Sequence, residues 1–323
     1  MKRRDLFCLL ALVSAAAGPA QAQAPWPSKP VKIVVPAPAG SSLDLIVRSM
    51  SEKLGARWGQ PVVVENKPGA GGMLGMDVAA KATDGHTLAI GFNGPVAFAP
   101  FLYRKMPYDP ARDLLPIVMT TSQANVLAVN ADKVPAKTVA EFVAWAKAQG
   151  GKVNYSSLGN GSSAHLTMEL FLSEAGITAT HIPFNGSPPA AMAVAQGEAD
   201  ATFMVAPALL AHVRNNKVRL LAVSSAQRPD SQKDLPTLAD AGYKNVEALA
   251  WNGLFAPAGT PEAVVARINA DVNEMLKDAT IKAALDAQGL TVVGGSAAEF
   301  KRVLDAEAKR WGPIIAKIGV KLD

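Results

Sequence analysis

The residues with chemistry to offer cluster in short stretches. The run NYSSLGNGSSAH, residues 154–165, brings Ser162, Ser163 and His165 together. Serine near histidine suggests acyl transfer, in which imidazole takes the hydroxyl proton. The spacing opposes that reading. His165 follows the serines by two or three residues on one helix, so it projects away from both. No G-x-S-x-G elbow is present either. A secreted serine hydrolase using Ser162 or Ser163 on a small ester or amide is the alternative. Binding without chemistry is the leading reading, because the same stretch, a strand, two glycines and a serine-capped helix start, offers free backbone N–H groups. Together with the positive end of the helix dipole they make a seat for an anion.

The motif occurs a second time, earlier in the chain. VKIVVPAPAGSSLDLIVR, residues 31–48, reads as a buried strand, a small uncharged turn through Pro38, Ala39 and Gly40, and a helix capped by Ser41 or Ser42. Ser41-x-x-Asp44 fits a capping box. An ordinary βα turn would look the same. NGSPP, residues 185–189, is a third helix start, with proline at the first position. Two capped starts, one per domain, are expected to face each other across a cleft.

Rival chemistries fail on specific positions. Gly159-x-Gly161-x-x-Ala164 fits a relaxed dinucleotide fingerprint, but the next strand ends at His181–Phe184 without the carboxylate a ribose needs. No P-loop is present. The four histidines lack metal-binding spacing, and His165 reads as a structural histidine. Asp44 and Asp200 read as a cap and a fixed polar partner. No cofactor and no metal are expected.

The elements that must position these turns alternate strand and helix. Strands are expected at residues 61–65 and 87–91, joined by the glycine-rich run NKPGAGGMLG and a helix at 76–82. The glycines serve close approach of either a packed neighbour or a ligand. A parallel sheet with right-handed crossovers follows. Two apolar runs, 116–119 and 126–129, look like strands passing to a second domain of the same grammar. Long helices beginning near Glu262 and Ser296 are expected to pack back on the first domain. The chain then crosses twice, near 120–128 and 245–253, and two crossings make a hinge.

The N-terminus reads as an export signal over residues 1–22: Lys2, Arg3 and Arg4, a short apolar run, and Ala20-Gln21-Ala22 before the cut. Cys8 leaves with it, so the mature chain has no cysteine and hence no disulfide or thiolate site. Three cations and one anion leave too, lowering the formal net charge from +5 to +3. The remaining cations are scattered and lack interleaved aromatics, which argues against nucleic acid. Roughly 300 residues suffice for two domains with separate cores, and nothing else approaches transmembrane length.

VVPAPAGSSLDLIVR, VVVENKPGAGGMLG, MPYDPARDLLPI, NYSSLGNGSSAHL, HIPFNGSPPA, QGEADATF and WNGLFAPAGTP, in this order, resemble the Bug-type extracytoplasmic receptors of tripartite tricarboxylate transporters. The resemblance covers nearly all of the mature chain. It implies a type II periplasmic-binding-protein fold: two α/β lobes joined by two crossover strands. The lobes would comprise residues 23–124 with 248–323, and 125–247. It implies a periplasmic, monomeric receptor, not an enzyme, that delivers a small carboxylate to a two-component membrane permease. The loops implied to grip the carboxylate are Pro38–Ser42 (Pro38, Ala39, Gly40, Ser41, Ser42) and Ser157–Ser163 (Ser157, Gly161, Ser162, Ser163), with ordered waters bridging to the first lobe. Asn93 and Asn185 are implied at the ligand's other end. The chain departs from the family pattern in reading Ala39-Gly40 where Gly-Gly is frequent. It also reads Gly91-Phe92-Asn93-Gly94 where small hydroxyl residues are common, which bears on selectivity.

The energies require both lobes. A charge-assisted hydrogen bond contributes roughly 1.5–3 kcal/mol and a helix terminus ~0.3–1 kcal/mol. Four bonds and two termini gain on the order of 10 kcal/mol, and lost ligand freedom costs several. Micromolar affinity, about −8 kcal/mol, is out of reach of one lobe alone.

Overall fold

The computed structural model describes residues 26–229 and 232–322. The export signal and its cleavage site lie outside the described residues. β1 (Val31–Val35), α1 (Ser42–Trp58), β2 (Val62–Asn66), α2 (Met73–Ala80) and β3 (Thr87–Phe92) alternate along the chain. The strands pair in parallel in the order β2–β1–β3. Val31, Ile33, Val34 and Val35 are buried, so β1 is covered on both faces. The turn after β1 therefore opens at the carboxyl end of the sheet, where open α/β sheets place their ligands.

One strand joins the halves. β4 runs unbroken from Leu114 to Asn130, where the sequence pattern suggested two separate strands. Its first part pairs with β9 (Leu249–Pro257), from Leu114 to Ala124. Its last part, Asn125–Asn130, pairs antiparallel with β7 (Ala201–Val205) and β8 (Val218–Val223). The polar residues Thr120–Gln123 at the end of the first pairing interrupt the apolar run, and that interruption hid the continuity from the hydrophobic pattern.

The second lobe repeats the first. α3 (Val139–Ala148), β5 (Asn154–Ser157), α4 (Ser163–Ala175), β6 (Thr180–Pro183) and α5 (Ser187–Gln196) lead into β7, and β6–β5–β7 pair in parallel. The return crossing is tied to β4 at Ser224. Its hydroxyl accepts the Asn125 N–H at 3.0 Å and donates to the Ala248 carbonyl, while the Ala248 N–H reaches the Ser224 carbonyl at 2.9 Å. Both crossings thus pivot about one serine.

After β9 come α6 (Glu262–Lys277), α7 (Ala279–Asp286), β10 (Thr291–Gly294) and α8 (Ala297–Ile318). α6 and α7 pack on α1, as the sequence suggested. α8 differs: it packs on β4 and also on α4 of the second lobe, and Lys317 pairs with Glu174 there at 3.0 Å. The cores differ from expectation for the same reason. One apolar cluster joins Phe98, Trp251, Phe300 and Trp311 to Phe142, Phe171 and Phe203, so the lobes share part of their core along β4 and α8. A strand and a helix that span both lobes carry their buried faces with them. Among the described residues no helix is long and apolar enough to cross a membrane.

Candidate functional site

The first turn is built by hydrogen bonds that leave two donors unspent. Ser41 is the N-cap of α1, and its hydroxyl accepts the Asp44 N–H at 3.3 Å. The Asp44 carboxylate does not complete the expected capping box. It reaches one residue further back and accepts the Gly40 N–H at 2.9 Å. Arg48 and the Asn66 amide also donate to Asp44. Burial pushes the Asp44 carboxyl up, but these donors outweigh it and hold its pKa below the ordinary value. The Ser42 and Leu43 N–H groups, and the Ser42 hydroxyl, have no partner among the described residues. Replacing Asp44 by alanine strands three donors at a nearly buried position. A loss of about 2 kcal/mol in urea unfolding is the expected result.

The second turn reproduces this design with different chemistry. Ser162 caps α4, accepting the His165 N–H at 3.3 Å. His165 Nδ1 accepts the Gly161 N–H at 3.1 Å, the place Asp44 takes on Gly40. Ser163 and Ala164 keep free N–H groups. The motif is therefore Gly-Ser-Ser-x-Asp in one lobe and Gly-Ser-Ser-x-His in the other, with an i+4 side chain pinning the glycine. His165 stacks on His181, ring centroids 4.0 Å apart, and His181 stacks on Tyr155. Burial, reinforced by the neighbouring His181, pushes His165 down to about 3. Burial alone pushes His181 down to about 4. Burial thus keeps both rings uncharged beside the seat at pH 7.

Pro36, Pro38, Ser41, Ser42, Leu43, Ser162, Ser163 and Ala164 line one cavity of about 70 Å³ between the lobes. A water needs roughly 10–15 Å³ of such space, so the room suits a small organic molecule. Among its described lining residues there is no Lys, Arg, Asp or Glu. The lobes stand closed around it. A Cβ on Gly71 would overlap the Asn160 carbonyl oxygen of the opposite lobe, and one on Gly186 would come within 2.7 Å of Pro38 Cδ. The glycine-rich run serves close packing between neighbours, one of the two purposes left open for it. Gly75 packs on Pro36, while Gly71 and Gly72 line the cavity.

Not every expected residue reaches this space. Ala39 and Gly40 are exposed and outside the lining, and the Gly40 donor is already spent on Asp44. Gly161 is spent on His165. Ser157 is fully buried, its hydroxyl shared between the Gly159 backbone and His181. Asn93 lines the cavity, but its amide is committed: it donates to Glu307 at 2.8 Å and to the Leu249 carbonyl, and accepts the Trp251 N–H. Asn185 lines the mouth and is exposed. Residues missed in sequence are Gln123 and Asn125 on β4 and Trp251 and Asn252 on β9, while Ser187 belongs to the helix start expected at 185–189 and lines the cavity too. The signal for the first two was an alternation of polar residues, Thr121, Gln123, Asn125, inside an apolar strand.

Among the described residues no base is hydrogen-bonded to the Ser162 or Ser163 hydroxyl. Ser163 Oγ accepts from Asn125 Nδ2 at 2.7 Å, and Ser162 Oγ accepts only the His165 backbone. Residues 46–320 match the model of the tripartite tricarboxylate transporter family receptor, TctC. The chain belongs to that family. It is 34% identical to protein BugT of Bordetella pertussis over 299 residues, 92% of this chain and 91% of BugT. Two solved structures superpose closely. One is a Rhodopseudomonas palustris protein solved with adipate, at TM-score 0.87 and 32% identity, covering 91% of this chain and 98% of that one. The other is MatC of the same organism with bound malate, at TM-score 0.85 and 29% identity, covering 90% and 100%. The fold is the type II periplasmic-binding-protein fold, and the protein is a solute receptor of the TctC type, not an enzyme. The hydrolase alternative falls with that assignment.

Proposed function

We propose that this TctC-family receptor captures a small carboxylate by cleft closure and passes it to a two-component membrane permease. The observation that carries the reading is the paired arrangement. Two helix starts, one per lobe, each keep two unspent N–H groups, and both line a single cavity without charged side chains. A carboxylate has about four lone-pair sites, which matches four donors supplied directly or through water. Ser163 Oγ, having accepted from Asn125, keeps its own proton to donate. The adipate and malate held by the two solved relatives are carboxylates, which supports the same class here.

The gripping residues are Ser42, Leu43, Ser163 and Ala164. Pro38, Ser41 and Ser162 shape the turns, and Ala39, Gly40, Ser157 and Gly161 act behind them. The lobes divide as residues 23–124 with 248–323, against 125–247, a division that β4 supports by changing partners between Ala124 and Asn125. The receptor works as a periplasmic monomer after removal of residues 1–22.

Native mass spectrometry of freshly purified protein, followed by calorimetry with the released molecule and its primary amide, tests the reading. The expected result is an acid bound at micromolar affinity and an amide at least a hundredfold weaker. Equal affinities for acid and amide would remove the carboxylate from the recognition.

A further inference from the structure

One wall of the cavity carries polar atoms that the two anion seats do not use. Thr121, Gln123 and Asn125 alternate along β4 and so share one face of the strand that both lobes own. Asn252 of β9 donates to Thr121 Oγ1 at 2.9 Å and to Gln123 Oε1 at 3.3 Å. Those two bonds tie the Asn252 amide to both β4 side chains. They leave the Gln123 Nε2 protons without an acceptor and Asn252 Oδ1 without a donor, though Gln123 is only 6% exposed and Asn252 3%. Asn125 Oδ1 is unpartnered as well, because Asn125 spends only its Nδ2, on Ser163 and Thr167. All three residues line the cavity. A buried amide that keeps free hydrogen-bonding atoms facing a cavity is set to receive a polar group.

The third helix start has its own donor set. α5 begins Ser187-Pro188-Pro189, and proline has no N–H to donate. Its first turn therefore offers the Gly186 and Ser187 N–H groups and the Ser187 hydroxyl, and no backbone donor from the next two residues. With no cation in the lining and the Asn252 carbonyl oxygen unpartnered beside Gln123, this wall disfavours a second carboxylate.

We infer that the ligand carries one carboxylate and, at its other end, a neutral group that both donates and accepts hydrogen bonds, a hydroxyl or a carboxamide, read by Gln123 and Asn252. Phe92, Leu158, Val205 and Trp251 supply the apolar walls for the body between the two ends. The inference rests on the carboxylate-receptor reading and narrows it: Gln123 is the selectivity residue.

Calorimetry on the mature chain separates the two levels. The probes are butanoate, 4-hydroxybutanoate, succinamate and succinate, and in a second frame benzoate, 4-hydroxybenzoate, 4-carbamoylbenzoate and terephthalate. In the frame that fits, the hydroxyl or carboxamide member is expected to bind at least tenfold tighter than both the unsubstituted acid and the dicarboxylate. In Gln123→Met that ratio is expected to fall below threefold, with cooperative thermal unfolding as the check on folding. The wild-type comparison stands even if the variant does not fold. A dicarboxylate binding as tightly as its neutral-ended partner overturns the inference and leaves the receptor reading standing. A ratio that survives Gln123→Met removes Gln123 from the role. Failure of every acid in both frames overturns the inference, while the native mass spectrometry of the released molecule decides the carboxylate reading separately.

Discussion

Gly71→Ala should bind the carboxylate at least a hundredfold more weakly than wild type, while Gly40→Ala binds it within threefold. The two glycines form a matched pair. Both sit in the left-handed region, Gly71 at φ 62 and Gly40 at φ 77, so a methyl group strains each backbone by roughly 1–2 kcal/mol. The surroundings differ. A Cβ at Gly40 meets nothing within 4 Å, and the Gly40 N–H that holds Asp44 is kept. At Gly71 it runs into the backbone carbonyl of Asn160 across the cleft, and a backbone atom cannot swing aside. The lobes must part, and the Ser42–Leu43 and Ser163–Ala164 donors can no longer reach one carboxylate together. Losing two charge-assisted bonds of roughly 1.5–3 kcal/mol each gives the expected factor. Thermal unfolding should fall by similar amounts in both variants, and calorimetry should separate them. Equal affinities for the two would show that closure contributes nothing to binding.

The same pair of turns shows what a sequence can and cannot reveal here. Ser41 and Ser162 were legible as caps because capping is local: the acceptor and the N–H it satisfies lie three residues apart. The pinning of Gly40 by Asp44 and of Gly161 by His165 is equally local, and the i+4 offset stood in both stretches. It was misread because a glycine before a helix suggests an open donor rather than a spent one. Asn93 could not have been read at all. Its partners Leu249, Trp251 and Glu307 lie over 150 residues away, and only the folded sheet brings them together. β4 was concealed by its own function, since the polar face that lines the cavity breaks the hydrophobic run that marks a buried strand. Departures from the simple pattern thus fell at the site, where a fold gives up local consistency for binding.

Lowering the pH from 6.5 to 4.5 should cost the protein about 3–4 kcal/mol of stability through two histidines, and His165→Asn should remove about half of that slope. His165 and His181 are held neutral, pushed down to about 3 and about 4 from an ordinary value of 6.5. Between pH 4 and 6.5 the unfolded chain binds protons that the folded chain refuses, so stability is complete above that window and drains away as pH falls through it. Each fully refused proton is worth about 1.4 kcal/mol per pH unit, and the partial exposure of His181 reduces its share. Glu307 acts with the opposite sign. Burial holds its carboxyl above the ordinary value despite the Asn93 and Trp251 hydrogen bonds, so acid favours its folded form. Comparing His165→Asn with wild type cancels that contribution. The asparagine Oδ1 stands where His165 Nδ1 stood, and it can still accept the Gly161 N–H without titrating. Urea unfolding at pH 7.5, 6.5, 5.5 and 4.5 measures the difference. The variant should start less stable, having lost a buried ring from the His181 stack, and then fall less steeply with acid. Parallel slopes would mean that the imidazole beside the second seat is not kept neutral by its burial.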